Sequence, residues 1–371
     1  MSQAQRNLWR WLIALSIAAI SIAAMFASLH STPAVAGPPA TGASYLFRFD
    51  ANAQTFVTIP LPAGSIPIGV AVTGTQPTHV WLTEMGRNQI GHVIYTDTND
   101  YQLIEYPVTS TSSSAPFRLT VDGNEVWFTE RGANRIGRLD MTTGQIDEFY
   151  GHGLSPNSGL SDIKVAPNGW VWIGGQWSKR LAQLIVTSTL VYAFTEYTDT
   201  ARPAFMVAPY SLAIENDDSI WFTVPDAAYY KIGQFDPFQR FFQWPQGFRP
   251  GSAAQEVVVT PGEVWVSDSG RNQLIQIELG TLPIINERGP ITQPIGLAAE
   301  APHRLWVAQQ TAQGAIGRLI YTAETTPSTS VDSFPLPTVG LYLTGIAVAD
   351  DQAVWLAAYQ ATRLYLPIIM K

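Results

Sequence analysis

The chain has 371 residues, of which 46% are hydrophobic and only 13% charged, and its net charge is −8. Without a cysteine it can form no disulfide, no zinc–thiolate centre and no thiol nucleophile. A mildly acidic chain with no basic run is not expected to bind nucleic acid, while its 29 glycines and 26 prolines suit many short strands joined by turns.

The first segment in chain order has the pattern of a targeting signal. Arg6 and Arg10 precede an apolar run from Trp11 to Leu29, and Ala34-Val35-Ala36 before Gly37 forms a small-residue cleavage site. Residues 1–36 therefore read as a signal peptide, and the protein is expected to work outside the cytoplasm, secreted or associated with the cell envelope. The apolar run approaches the roughly 20 residues that span a bilayer. An uncleaved anchor is the alternative, and membrane contact is expected through this segment alone. The absence of cysteine rules out a lipoprotein anchor.

Residues 44–371 read as one repeat domain. Seven tryptophans (Trp81, Trp127, Trp172, Trp221, Trp265, Trp306 and Trp355) recur at intervals of 46, 45, 49, 44, 41 and 49 residues, each in a strand-like run such as HVWLTE or EVWFTE. Repeats of this length, built from strands without helices, describe propeller blades. An apolar strand often beginning with proline comes first, as in Pro67–Val72, Pro116–Val121 and Pro294–Ala298. A turn such as Asp122-Gly123-Asn124 leads to the tryptophan strand, followed by a third strand (Ile136–Asp140) and, after Thr143-Gly144, a fourth (Gln145–Tyr150). The indoles are expected to be core, filling the space between neighbouring sheets.

The predicted fold is a seven-bladed β-propeller of four-stranded antiparallel blades, with N- and C-terminal strands sharing the last blade. Leu343–Val348 and Ala353–Ala357 would be the first two strands of that blade, and Ser44–Leu61 matches the third and fourth. The tail Arg363–Met370 also looks like a third strand, which leaves one strand too many. Thr109–Ser114 and Pro327–Ser330 read as loop insertions. A monomer is expected.

Val126–Tyr150, VWFTERGANRIGRLDMTTGQIDEFY, resembles the repeat of the streptogramin B lyase (virginiamycin B lyase) family. VWLTEMGRNQIG (Val80–Gly91) repeats its core and VWVSDSGRNQLI (Val264–Ile275) echoes it, and the likeness extends in weaker form over residues 44–358. The resemblance implies a seven-bladed propeller, in agreement with the repeat count. It also implies elimination at the ester of a cyclic depsipeptide antibiotic, with Mg²⁺ and a catalytic histidine. The chain departs from the family at that point: the expected Glu-x-His after a blade tryptophan occurs nowhere, since Glu84 is followed by Met85-Gly86 and Glu130 by Arg131-Gly132. Of the histidines, His30 lies in the targeting segment, His79 and His303 precede tryptophan strands and His92 lies in a third strand. His152, between Gly151 and Gly153, is the one placed for reactivity.

Three residues after each tryptophan the blades read Glu84, Glu130, Gly175, Val224, Asp268, Gln309 and Ala358. The acids Glu84, Glu130 and Asp268 are candidate ligands for a hard cation, Mg²⁺ or Ca²⁺, at the channel mouth, and such an ion would polarise an ester or lactone carbonyl. Equally, each precedes x-Gly-x-Asn and would serve as a loop cap. Arg87, Arg131 and Arg271 are candidates for binding an anion. Trp177, Tyr229, Tyr230 and Trp244 lie off the repeat position and are candidates for stacking on a sugar or peptide. With neither a Gly-x-Ser-x-Gly elbow nor cysteine, the nucleophile classes have no support.

Three functions follow. The first is a secreted propeller that binds a small molecule, glycan or protein on its channel-mouth face, and the absent Glu-x-His favours it. The second is a Mg²⁺-dependent lyase or lactone- or ester-opening enzyme. The third is an envelope scaffold retained by the apolar tail Tyr365–Met370.

Overall fold

In the computed structural model each tryptophan run is the second strand of a four-stranded antiparallel sheet, and there are seven such sheets. The structure describes residues 42–109, 113–202, 208–215, 218–226, 231–245, 248–280, 284–300, 303–321 and 331–360. Residues 1–36, the tail Arg363–Met370, Tyr229, Tyr230 and Pro327–Ser330 fall outside them. Blades 1 to 6 run in simple order from the innermost to the outermost strand: blade 1, for example, is Pro67–Thr73, Thr78–Glu84, Gln89–Asp97 and Asp100–Pro107.

Blade 7 closes the ring as the repeat arithmetic requires. Tyr342–Val348 and Val354–Tyr359 supply its inner strands, Ser44–Asp50 the third and Thr55–Leu61 the fourth. Ser44–Asp50 pairs with the tryptophan strand in full register, Arg48 facing Trp355. Of the competing third strands, Ser44–Asp50 therefore holds the place. Closure leaves no blade short of a strand.

The repeat tryptophans are core. Trp81, Trp172, Trp221, Trp265, Trp306 and Trp355 are fully buried between sheets and Trp127 nearly so. Facing each across the ladder stands a flat polar side chain of the third strand: His92, Arg138, Gln183, Gln234, Gln276, Arg318 and Arg48 in blades 1 to 7. Three of these side chains lie against the indole face: His92 stacks on Trp81 at 3.7 Å, and the guanidiniums of Arg138 and Arg318 lie over Trp127 and Trp306. Four indole N–H groups donate to glutamates at the preceding hairpin, Glu125, Glu215, Glu263 and Glu300. His92 is thus a packing residue. Burial, with His79 beside it, pushes its pKa down to about 4.

Hydroxyls fasten neighbouring blades near the axis. Thr83 donates to the Phe117 carbonyl (blade 1 to 2), Ser161 to Pro209 (3 to 4), Thr223 to Gln255 (4 to 5) and Thr344 to Pro67 (7 to 1), each at 2.8 Å. These bonds set the inner strands at fixed spacing around the channel, which positions the site described next.

Candidate functional site

The three acids chosen by position sit at one rim, where second strands end and innermost strands begin. Glu84 faces Pro67, Glu130 faces Pro116 and Asp268 faces Ala254. All three are fully buried. Glu84 accepts from Ser65 Oγ at 3.0 Å and Glu130 from Ser114 Oγ at 2.7 Å, the serine belonging to the loop that opens the same blade. Asp268, one methylene shorter, takes the Ala253 backbone N–H at 2.7 Å instead. Each acid thus caps the loop of its own blade. Among the described residues no group of three His, Asp or Glu side chains is placed to hold a metal ion.

Their chemistry is unusual for carboxyls. Burial raises Glu130 to about 7 against the pull of Ser114, with Glu148 raising it further and Arg135 lowering it. Glu84 rises to about 7 through burial, opposed by Ser65 and Arg87 and reinforced by Glu105. Among the described residues Glu84 Oε1 and Glu130 Oε1 have no hydrogen-bond partner. A buried oxygen without a donor is tolerated more easily on a neutral acid than on a carboxylate.

The asparagine of each x-Gly-x-Asn loop clamps the next blade. Asn88, Asn134 and Asn272 adopt left-handed φ values of 61°, 56° and 56° and accept backbone N–H groups of Ala115, Ser158 and Gln293. The glycine before it has no room for a side chain: a Cβ on Gly86 would lie 2.1 Å from the Gly64 carbonyl oxygen. The feature that marks the sequence resemblance is therefore a structural fastener.

The predicted arginines separate. Arg87 pairs with Glu105 at 3.2 Å and lies 3.6 Å from Glu84. Arg271 lies 3.9 Å from Glu287 and donates to the Pro250 carbonyl. Both are held within blades 1 and 5. Arg131 differs. It lies between the rings of Phe117 (4.6 Å) and Trp177 (5.1 Å) and donates to Gln176 Oε1 at 2.6 Å, bridging blades 2 and 3. It is only 7% exposed, and among the described residues no carboxylate lies within ion-pair distance of it. Burial lowers its pKa, with only Tyr210 opposing.

Trp177 is 53% exposed and is fixed from behind. Its backbone N–H bonds to the Ser158 carbonyl, and a Cβ on Gly159 (φ +61°) would lie 2.3 Å from its ring. Phe117 continues into an apolar cluster at the rim with Ile66, Ile68 and Tyr359, flanked by Met85 and Tyr210. Tyr342 stacks on Tyr359. Of the other aromatic candidates, Trp244 is buried and donates to Asp199, so it packs the core. His152 has φ 47° and rests against Tyr192 at 4.7 Å.

Below the rim the innermost strands carry a register irregularity in six blades. The residue there, with its equivalents in blades 4 and 6, reads Gly69, Arg118, Asp162, Ser211, Glu256, Gly296 and Gly345 around the ring. Arg118 of blade 2 reaches Glu256 of blade 5 at 3.0 Å, and Ser211 Oγ donates to the same carboxylate at 2.8 Å. Asp162 accepts Lys164 Nζ at 2.9 Å and the Leu212 N–H at 2.8 Å. Burial disfavours the Arg118 charge, but Glu256, Tyr210 and Asp162 outweigh it and raise its pKa. None of these channel charges stands out in the sequence, because the irregularity, not the alternation, turns them inward.

Compared with solved structures, the chain superposes on virginiamycin B lyase from Staphylococcus aureus with a TM-score of 0.66 and 22% identity, covering 85% of this chain and 99% of that one. A second streptogramin B lyase structure gives 0.67 and 22%, covering 87% and 99%. In fold the chain resembles the streptogramin B lyases. A putative 6-phosphogluconolactonase from Bacteroides uniformis also matches, at 0.56 and 11% identity over 78% of this chain and 94% of that one. No family model and no curated protein matches the sequence. At these identities the likeness to the lyases is one of architecture. No second-strand end, from Glu84-Met85-Gly86 round to Ala358-Tyr359-Gln360, carries the Glu-x-His expected of that family.

Proposed function

We propose that the protein is an extracytoplasmic binding propeller whose rim around Arg131 takes a ligand with an anionic group and a flat face. Arg131 carries the reading: a buried guanidinium with no carboxylate partner among the described residues, caged by two aromatic rings. Leaving such a charge uncompensated is costly, and a ligand carboxylate or sulfate would compensate it through paired N–H donors. The exposed Trp177 ring next to it offers a platform for a sugar or aromatic face. Uronic-acid sugars and aryl carboxylates combine both features.

Isothermal titration of the purified protein with a panel of uronic-acid oligosaccharides, aryl carboxylates and aryl sulfates tests the reading. Saturable binding by at least one member, weakened about tenfold or more by Arg131→Gln and by Trp177→Ala, supports it. Binding that both variants leave unchanged, or none across the panel, overturns it. The export half of the proposal rests on residues 1–36. N-terminal sequencing of the exported protein should begin at Gly37.

A further inference from the structure

The channel below the rim holds a cavity of about 210 Å³ with two unlike walls. One carries Arg118, Asp162, Lys164 and Glu256; the other is apolar and is represented by Val70, Leu297, Ala298 and Ile346. We infer that this cavity is a second binding site, distinct from the rim, for a small aliphatic carboxylate.

The hydrogen-bond inventory calls for an acceptor. Each oxygen of Asp162 and Glu256 already accepts at least one donor: Ile163 N–H, Leu212 N–H and Lys164 for the first, Ser211 and Arg118 for the second. One donor is not used up. Lys164 has three N–H groups and binds one carboxylate, leaving capacity on a side chain 30% exposed. Beside the Arg118–Glu256 pair, Lys164 keeps N–H capacity turned to the cavity, and an acceptor group completes it. A carboxylate suits this wall, and a short hydrocarbon tail suits the other.

Size sets the rest. Drug-sized ligands occupy pockets of about 300–1,000 Å³, so this cavity is too small for them. It offers the liquid volume of roughly seven waters, enough for an acid of four or five carbons. The bare backbones of Gly69 and Gly345 line it as well. A Cβ on Gly345 would lie 2.7 Å from the Ile68 carbonyl oxygen, so no side chain can grow there to fill the space.

The proposal does not depend on the rim site, and its probe is different. Titration of the full chain with isovalerate should show saturable one-to-one binding. Acetate, which lacks the tail, and isoamyl alcohol, which lacks the carboxylate, should each bind about tenfold or more weakly. Lys164→Gln, which leaves Asp162 its two backbone donors, and Ala298→Leu, which fills the apolar wall, should each weaken isovalerate by a similar factor while melting as cooperatively as the parent. Should a variant not fold, the three-ligand series on the parent protein decides. Absence of saturable isovalerate binding overturns the inference, as does equal affinity for all three probes or binding unchanged in both folded variants.

Discussion

Glu130→Gln should make the protein more stable at alkaline pH and leave it unchanged in acid. The folded carboxyl titrates near 7 where an ordinary glutamate has 4.5, because burial disfavours its charge. Below about pH 4.5 the folded and unfolded chains both hold the proton, and the group contributes fully. As pH rises toward 7 the unfolded chain loses its proton while the folded one keeps it, so the unfolded state gains. The span from 4.5 to about 7, at about 1.4 kcal/mol per pH unit, comes to about 3 kcal/mol lost by pH 8. Glutamine keeps the oxygen that Ser114 bonds and never ionises, so the loss disappears. Urea unfolding of parent and variant at pH 4, 6 and 8 measures the difference. It should be near zero at pH 4 and grow to about 3 kcal/mol in favour of the variant at pH 8. A difference that does not change with pH, or a variant less stable throughout, would refute the burial argument.

Asn134→Ala should cost about 2–4 kcal/mol, since it removes the bonds to Ser158 N–H and the Ser155 carbonyl and puts alanine in a left-handed conformation. Asn134→Gly, free of the second cost, should recover about 1 kcal/mol of it in the same unfolding assay. Mg²⁺, Ca²⁺ and chelator should leave the melting temperature unchanged, because Glu84, Glu130 and Asp268 are each enclosed in their own blade. A cation-dependent rise abolished by Glu84→Ala would place a metal at the rim and restore the lyase-like reading.

The architecture could be read from the sequence because one bulky residue per blade has to fill the gap between sheets, and tryptophan does so at a fixed spacing. Ring closure followed from matching Ser44–Leu61 to the outer half of the template. In four blades the partner of the tryptophan was also in view, as the residue after Ile-Gly in Ile90-Gly91-His92, Ile136-Gly137-Arg138, Ile232-Gly233-Gln234 and Ile316-Gly317-Arg318, yet it reads as pairing only once the register is known. The rim acids had two readings in sequence terms. Their geometry is that of caps, with serine hydroxyls taking the role expected of backbone N–H at Glu84 and Glu130. Arg131 could not be told from Arg87 and Arg271 by position, since what separates them is Phe117 on an adjacent strand and Trp177 on an adjacent blade. Arg118, Asp162 and Glu256 were invisible for a different reason. They meet across blades 2, 3 and 5, over more than 130 residues of chain in the case of Arg118 and Glu256, and no local pattern encodes such an encounter.

The shared seventh blade also sets a timetable. Ser44–Asp50 and Thr55–Leu61 leave the ribosome about 300 residues ahead of their partner strand Val354–Tyr359. At roughly 5–20 residues per second, the early hairpin waits on the order of a quarter of a minute to a minute for the strand that completes its sheet. During that interval its inner edge is an unpaired template for the wrong neighbour. The seventh blade is therefore where chaperoning during synthesis has most to protect.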